Sequence, residues 1–141
     1  MSFPELKSRN RLLRFLQEYL IRQGDGAVSF SAISTNTPTG QAIANNTITT
    51  VEFDTEVFAG TGYDTSNDTF TAPYDGKYYF HANVMWYNIQ STIGYISLGF
   101  KHNLTFHVVS FVNQDQSNFD EISQSGDIML ELSKNDTVVV Q

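Results

Sequence analysis

At Gly24-Asp25-Gly26 the spacing of apolar residues changes, and this change limits what the chain can fold into. Before it, Leu6, Leu12, Leu13, Leu16, Tyr19 and Leu20 recur at helical spacing. After it, apolar residues alternate with polar ones, the period of a half-buried strand. Val28, Phe30 and Ala32 alternate with Ser29, Ser31 and Ile33, and Thr49, Val51, Phe53, Thr55 and Val57 alternate again. The longest such run is 78–86, with Tyr78, Phe80, Ala82 and Val84 on one face and Tyr79, His81, Asn83 and Met85 on the other. Residues 95–100 and 105–111 flank Lys101-His102-Asn103 as a predicted hairpin. Residues 127–132 and 137–140 close the sequence around the turn residues Ser133-Lys134-Asn135-Asp136. Seven or more strands, no second helix and no βαβ alternation predict an all-β fold, an antiparallel sandwich or jelly roll preceded by one N-terminal α-helix.

The period change also divides the chain into 1–26 and 27–141. In the first part, Ser2-Phe3-Pro4-Glu5 has capping-box spacing, Arg22 falls in the last turn, and Gly24 suits a C-cap. Leu6, Arg9, Leu13, Leu16 and Leu20 follow an a/d pattern with one basic interruption. This amphipathic helix is expected to serve as a short coiled-coil stalk or to pack on its own domain, because helices of this size are marginal alone. Residues 1–26 hold five basic and three acidic residues (+2), and 27–141 hold three basic and twelve acidic (−9), giving the net −7 of the 141-residue chain. An acidic main body disfavours nucleic acid, whose binding depends on Lys and Arg neutralising phosphates. No apolar run reaches the roughly 20 residues of a membrane helix, so no membrane insertion is expected. No signal peptide is visible, since Lys7, Arg9, Arg11 and Arg14 break up the apolar residues.

Conventional catalytic and metal motifs are missing. The absence of cysteine excludes disulfides and thiolate metal sites. His81, His102 and His107 form neither a His-x-His nor a His-Glu-x-x-His pattern. Gly60-Thr61-Gly62 lacks the third glycine of a dinucleotide loop and reads as a turn. Asp115, Asp120, Glu121 and Asp127 match no defined calcium loop and read as a solvated acidic stretch. No nucleophile, base and oxyanion set assembles, so the chain is not expected to be an enzyme. Four Asn-x-Thr matches, at Asn45, Asn67, Asn103 and Asn135, are of the number expected by chance in a chain rich in Asn and Thr. Tyr79, Trp86, Tyr87 and Tyr95 do not all fit one inward face, which points either to a wide core or to a second buried surface between subunits.

Several blocks resemble the complement C1q globular domain family, within the tumour-necrosis-factor-like superfamily. Val28-Ser29-Phe30-Ser31-Ala32 is similar to its opening strand, and Val51-Glu52-Phe53-Asp54 with Gly62-Tyr63-Asp64 to its next block. Phe70-Thr71-Ala72-Pro73, followed by Gly76-Lys77-Tyr78-Tyr79-Phe80, is the most specific match. Ser125-Gly126-Asp127-Ile128-Met129-Leu130-Glu131-Leu132, then Asn135-Asp136-Thr137-Val138, resembles the closing block, with Asn135 replacing a glycine. Asn is the next-best residue for a left-handed turn. Pro73 is expected to start a strand without costing a ladder bond, and Gly76 to permit the tight turn before it.

The resemblance implies a ten-stranded jelly roll, three copies of which pack through aromatic-rich faces into a non-enzymatic recognition head. The implied partners are further copies of the chain as a homotrimer and a protein or glycan ligand, outside the cell or on a virion surface. By strand position Tyr79, His81 and Trp86 are expected at the trimer interface. Phe30, Phe53, Phe70, Tyr78, Phe80 and Leu130 are expected in the core. No cofactor is expected; some family members hold calcium, whose ligands do not map onto this sequence. The family's last strand, between its first and its long central strand, would lie beyond Gln141, so both neighbours are expected to lack ladder partners. The ribbon 78–86 is expected to be dry on both sides, one against its own sandwich and one against sister chains. Other roles considered are the tip or attachment module of a virion or phage fibre, a monomeric carbohydrate-binding jelly roll, and a cupin-type enzyme.

Overall fold

The computed structural model describes residues 28–35, 40–58, 60–87, 89, 94–113 and 121–141. The expected N-terminal helix, and Asp115 and Asp120, lie outside them. Nine strands run in chain order among the described residues: β1 Ser31–Ile33, β2 Thr55–Phe58, β3 Tyr63–Asp64, β4 Thr69–Thr71, β5 Gly76–Tyr87, β6 Tyr95–His102, β7 Thr105–Asn113, β8 Glu121–Leu132 and β9 Thr137–Val140. All pairings are antiparallel. One layer is the five-stranded sheet β3-β4-β9-β6-β7; the pairs β5-β8 and β1-β2 make up the rest. The described residues therefore form an all-β sandwich with the antiparallel arrangement of a jelly roll.

The period-2 pattern explains the core. Phe70, Ala72, Phe80, Ala82, Phe100, Leu130, Leu132 and Val138 form one buried cluster drawn from both layers. The Phe70 and Phe80 rings meet edge to face with centroids 5.3 Å apart, and Phe80 reaches Phe100 at 5.9 Å. Phe30 and Tyr78 pack against this cluster while remaining half-exposed. Phe53 does not join it: it is half-buried, and its backbone N–H is held by Asp68 Oδ1 at 2.6 Å.

Turn chemistry follows the residue types. Asn46, Asp68, Asn103 and Asn135 adopt positive φ, as does Gly62 at 99°. The expectation that Asn135 takes a left-handed turn holds, with φ of 73°. The hairpin turn sits at Asn103-Leu104, so Lys101 and His102 belong to β6 and are not turn residues. Pro73 does not start β5. It opens a bend over 73–75 whose Asp75 carboxylate accepts the Lys134 N–H at 2.6 Å and whose Tyr74 carbonyl accepts the Tyr78 hydroxyl at 2.7 Å. Gly76 is the first residue of β5, without positive φ, and a Cβ there would meet only the Tyr78 ring at 3.8 Å. The tight-turn role expected of Gly76 is therefore not needed; the bend before it does that work.

Candidate interaction surface

The β5–β8 ribbon is built by twelve consecutive residue pairs, from Gly76 opposite Leu132 to Tyr87 opposite Glu121. Opposed residues share a face, so this register sorts both strands at once. The inner row carries Tyr78, Phe80 and Ala82 against Leu130, Ile128 and Gly126. The outer row carries Tyr79, His81, Asn83, Met85 and Tyr87 against Met129, Asp127, Ser125, Ser123 and Glu121. Every one of these outer residues is exposed in the single chain. Tyr79 is 64% exposed and its partner Met129 66%. The inner side of the ribbon packs on the core, and the outer side, expected against sister chains, is the one exposed in a single chain.

Large exposed apolar side chains are common singly, but here they recur along one regular face. Tyr79 and Met129 mark one end, and Met85 and Tyr87 the other. Between them lie His81 opposite Asp127, and Asn83, whose Oδ1 accepts the Ser123 hydroxyl at 3.0 Å. A second exposed apolar patch lies on β6 and β7, where Tyr95 stacks on Phe111 with centroids 5.3 Å apart.

Trp86 does not share the face of Tyr79 and His81. Even-numbered residues of β5 point inward, and Trp86 follows them. Its Nε1–H donates to Gln124 Oε1 at 2.8 Å, and the buried Gln124 amide in turn donates to the Ile96 carbonyl at 3.3 Å. This polar link joins the ribbon to the five-stranded layer, and its donors and acceptors satisfy one another where water is absent. Met85 shares the face assigned to Tyr79 and His81 but is not named with them at the interface, and Met129 and Phe111 are surface residues that the sequence did not single out. Alternation from Tyr79 reaches Met85, but Met129 and Phe111 depend on cross-strand register.

No group of three or more His, Asp or Glu suited to a metal occurs among the described residues. Glu121 and Asp127 are six positions apart on one straight strand, about 20 Å, too far to share an ion. At the β8–β9 turn, Asp136 accepts from Asn103 Nδ2 at 2.9 Å and from the Ser133 N–H at 2.9 Å, and His102 Nε2 lies 3.1 Å away. Asn103 is the largest cause holding the Asp136 carboxyl down at about 2, followed by Ser133 and His102. Elsewhere, burial pushes the Tyr63 phenol up, with the Asp68 carboxylate adding to the effect. The Tyr63 hydroxyl and His107 Nε2 are buried without a hydrogen-bond partner.

Comparison with family models decides the family, since the C1q domain model matches residues 29–141. The chain belongs to the C1q domain family. This agrees with the all-β antiparallel sandwich, and C1q domains are generally non-enzymatic, ligand-binding modules that commonly self-associate. A search of curated proteins found no match to the chain. No helix among the described residues is long and apolar enough to cross a membrane.

Proposed function

We propose that this C1q domain is a non-enzymatic recognition head that works as a homotrimer and binds a protein or glycan outside the cell or on a virion surface. The observation that carries this reading is the outer face of the β5–β8 ribbon, where Tyr79, Met85, Tyr87 and Met129 stand exposed in a single chain. Burying a side chain of this size contributes about 1.5–3 kcal/mol. A closed three-fold ring is made by head-to-tail contacts, so each copy needs two different patches that fit each other. The ribbon face and the Tyr95–Phe111 stack supply two such patches. Residues 27–141 form the head in this reading, and 1–26 act as a short stalk. Holding three heads together multiplies weak ligand contacts without new chemistry.

Light scattering on the full chain tests the assembly. The expected mass is that of three chains, and Tyr79→Glu or Phe111→Glu is expected to reduce it to one while the far-ultraviolet strand signal is kept. A native chain that stays monomeric, with its ribbon face solvated, would overturn the trimer. Glycan arrays and binding partners from the medium then identify the ligand class.

A further inference from the structure

Met85 and Met129 are the two methionines among the described residues, and both stand on the outer face of the β5–β8 ribbon. Met129 lies opposite Tyr79 toward one end. Met85 lies opposite Ser123 toward the other, six positions along β5 from Tyr79, or about 20 Å. Met129 is 66% exposed in a single chain and Met85 50%. Methionine is a residue that cores usually bury, yet the buried cluster of this sandwich is built from Phe, Leu, Ala and Val. Its flexible, polarisable thioether suits a surface that adapts to another chain.

The same sulfurs are the readiest targets on this molecule for a mild oxidant. The chain has no cysteine, so no thiol competes for a two-electron oxidant such as a peroxide. The single tryptophan, Trp86, is half-buried and bonded to Gln124. In the reaction a sulfur lone pair attacks one peroxide oxygen, the O–O bond breaks and an S=O bond forms. The sulfur gives up two electrons, and the departing hydroxide takes the remaining peroxide proton and leaves as water.

The product changes the face. A sulfoxide is polar and accepts hydrogen bonds where the thioether was apolar. In a single chain, water solvates the new oxygen. On assembly the oxygen loses that water, and burying a polar group stripped of water costs free energy. Oxidation therefore favours the separate chain. Assembly covers both sulfurs and in turn must slow their oxidation.

We propose that Met85 and Met129 are modification sites for peroxide-class oxidants, and that their conversion to sulfoxide separates the assembled heads. This rests on the homotrimer proposed above and adds a chemical control on the same face.

The test compares the full chain before and after hydrogen peroxide, with peptide mass spectrometry to place the added oxygens. In light scattering across a dilution series, one oxygen on each of Met85 and Met129 is expected to raise the concentration needed for assembly about ten-fold or more. The far-ultraviolet strand signal is expected to stay unchanged. The chain carrying both Met85→Leu and Met129→Leu, swaps that conserve volume, is expected to assemble like the native one and to ignore peroxide, although it keeps Met1. In the native chain, oxidation at both positions is expected to slow as protein concentration rises through the assembly range. An untreated chain that is monomeric at every concentration would overturn the homotrimer and this inference with it. An untreated trimer that stays assembled with both sulfurs oxidised, or a double-leucine chain that separates under peroxide as the native one does, would overturn this inference and leave the trimer standing. Loss of the strand signal on oxidation would tie the sulfurs to the fold itself and overturn it too.

Discussion

In the five-stranded layer β9 has a partner on each side, whereas in the ribbon β5 has, among the described residues, a partner on one side only. The difference extends to the side chains. β9 runs between β4 and β6, and its ends are tied further by the Val51 N–H to the Val140 carbonyl at 2.9 Å and by Gln141 exchanging both backbone bonds with Gly99. The turn leading into it is held by Asp136 and Asn103. β5 is longer, yet among the described residues it pairs with β8 alone and its outer face is exposed. Within one small sandwich, the middle strand of one layer is paired on both sides, and the long strand of the other carries an exposed outer face.

The largest expected effect tests whether the inner side of the ribbon is true core. Phe80→Ala should cost about 3–5 kcal/mol, read as a shift of the urea midpoint at constant slope. A loss below about 1 kcal/mol would put Phe80 with the open surface instead. Next is the contact between the layers at Gly126, where an added Cβ would lie 2.4 Å from a Val109 methyl. Gly126→Ala should therefore cost about 1–3 kcal/mol. In a double-mutant cycle, Val109→Ala should recover part of that loss, and simple additivity would deny the contact.

A smaller effect belongs to the five-stranded layer. The Asp136 carboxyl is held at about 2 in the folded state against an ordinary 3.8. A lowered folded value gives stability that is complete above the ordinary value and is lost as pH falls toward 2. The native chain should thus exceed Asp136→Asn in stability at neutral pH, with the gap closing between about pH 4 and 2 in acid unfolding curves. A gap that persists unchanged at pH 2 would remove the carboxylate from this account. The smallest effect is expected one residue from the largest. Tyr79→Ser should change the stability of the monomeric fold by no more than about 0.5 kcal/mol, measured by dilution below the assembly range. A clearly larger loss would mean that Tyr79 already packs within its own chain.

How far the sequence foretells this contrast depends on whether the information is local. Tyr78 and Tyr79 point opposite ways because neighbouring residues in a strand must, and that is readable from the sequence without a partner. The same parity places Trp86 inside, so grouping it with Tyr79 and His81 by face miscounts the alternation; its partner Gln124 is 38 positions away. The first half of β8, Glu121 to Gly126, is polar and reads as an acidic loop. It becomes strand because residues 82–87 pair with it one for one. The reverse happened at Thr49 to Phe53, which alternate well but form no ladder. Val51 is buried there through a single backbone bond to Val140. Pro73 and Gly76 look like the start of a strand by residue type, yet the bend is fixed by Asp75 and Tyr74. On the surface, Tyr79 and His81 were foreseen by alternation, while Met129 and Phe111 needed pairings that no short window contains.

The Asn103 side chain bears on how this domain tolerates a host's modification machinery. Its Nδ2 donates to Asp136 and lies 3.2 Å from His102 Nε2, while its Oδ1 accepts the Thr137 N–H at 3.0 Å. Asn103-Leu104-Thr105 is also a sugar-acceptor tripeptide. A glycan is attached through that same nitrogen and replaces one of its two hydrogens. In a secretory pathway, attachment before folding would put a bulky chain at the knot joining two hairpin turns, and folding first would shield the nitrogen from the transferase. Material made in a glycosylating host and in a bacterium would then differ at a turn that anchors the middle strand of the five-stranded layer.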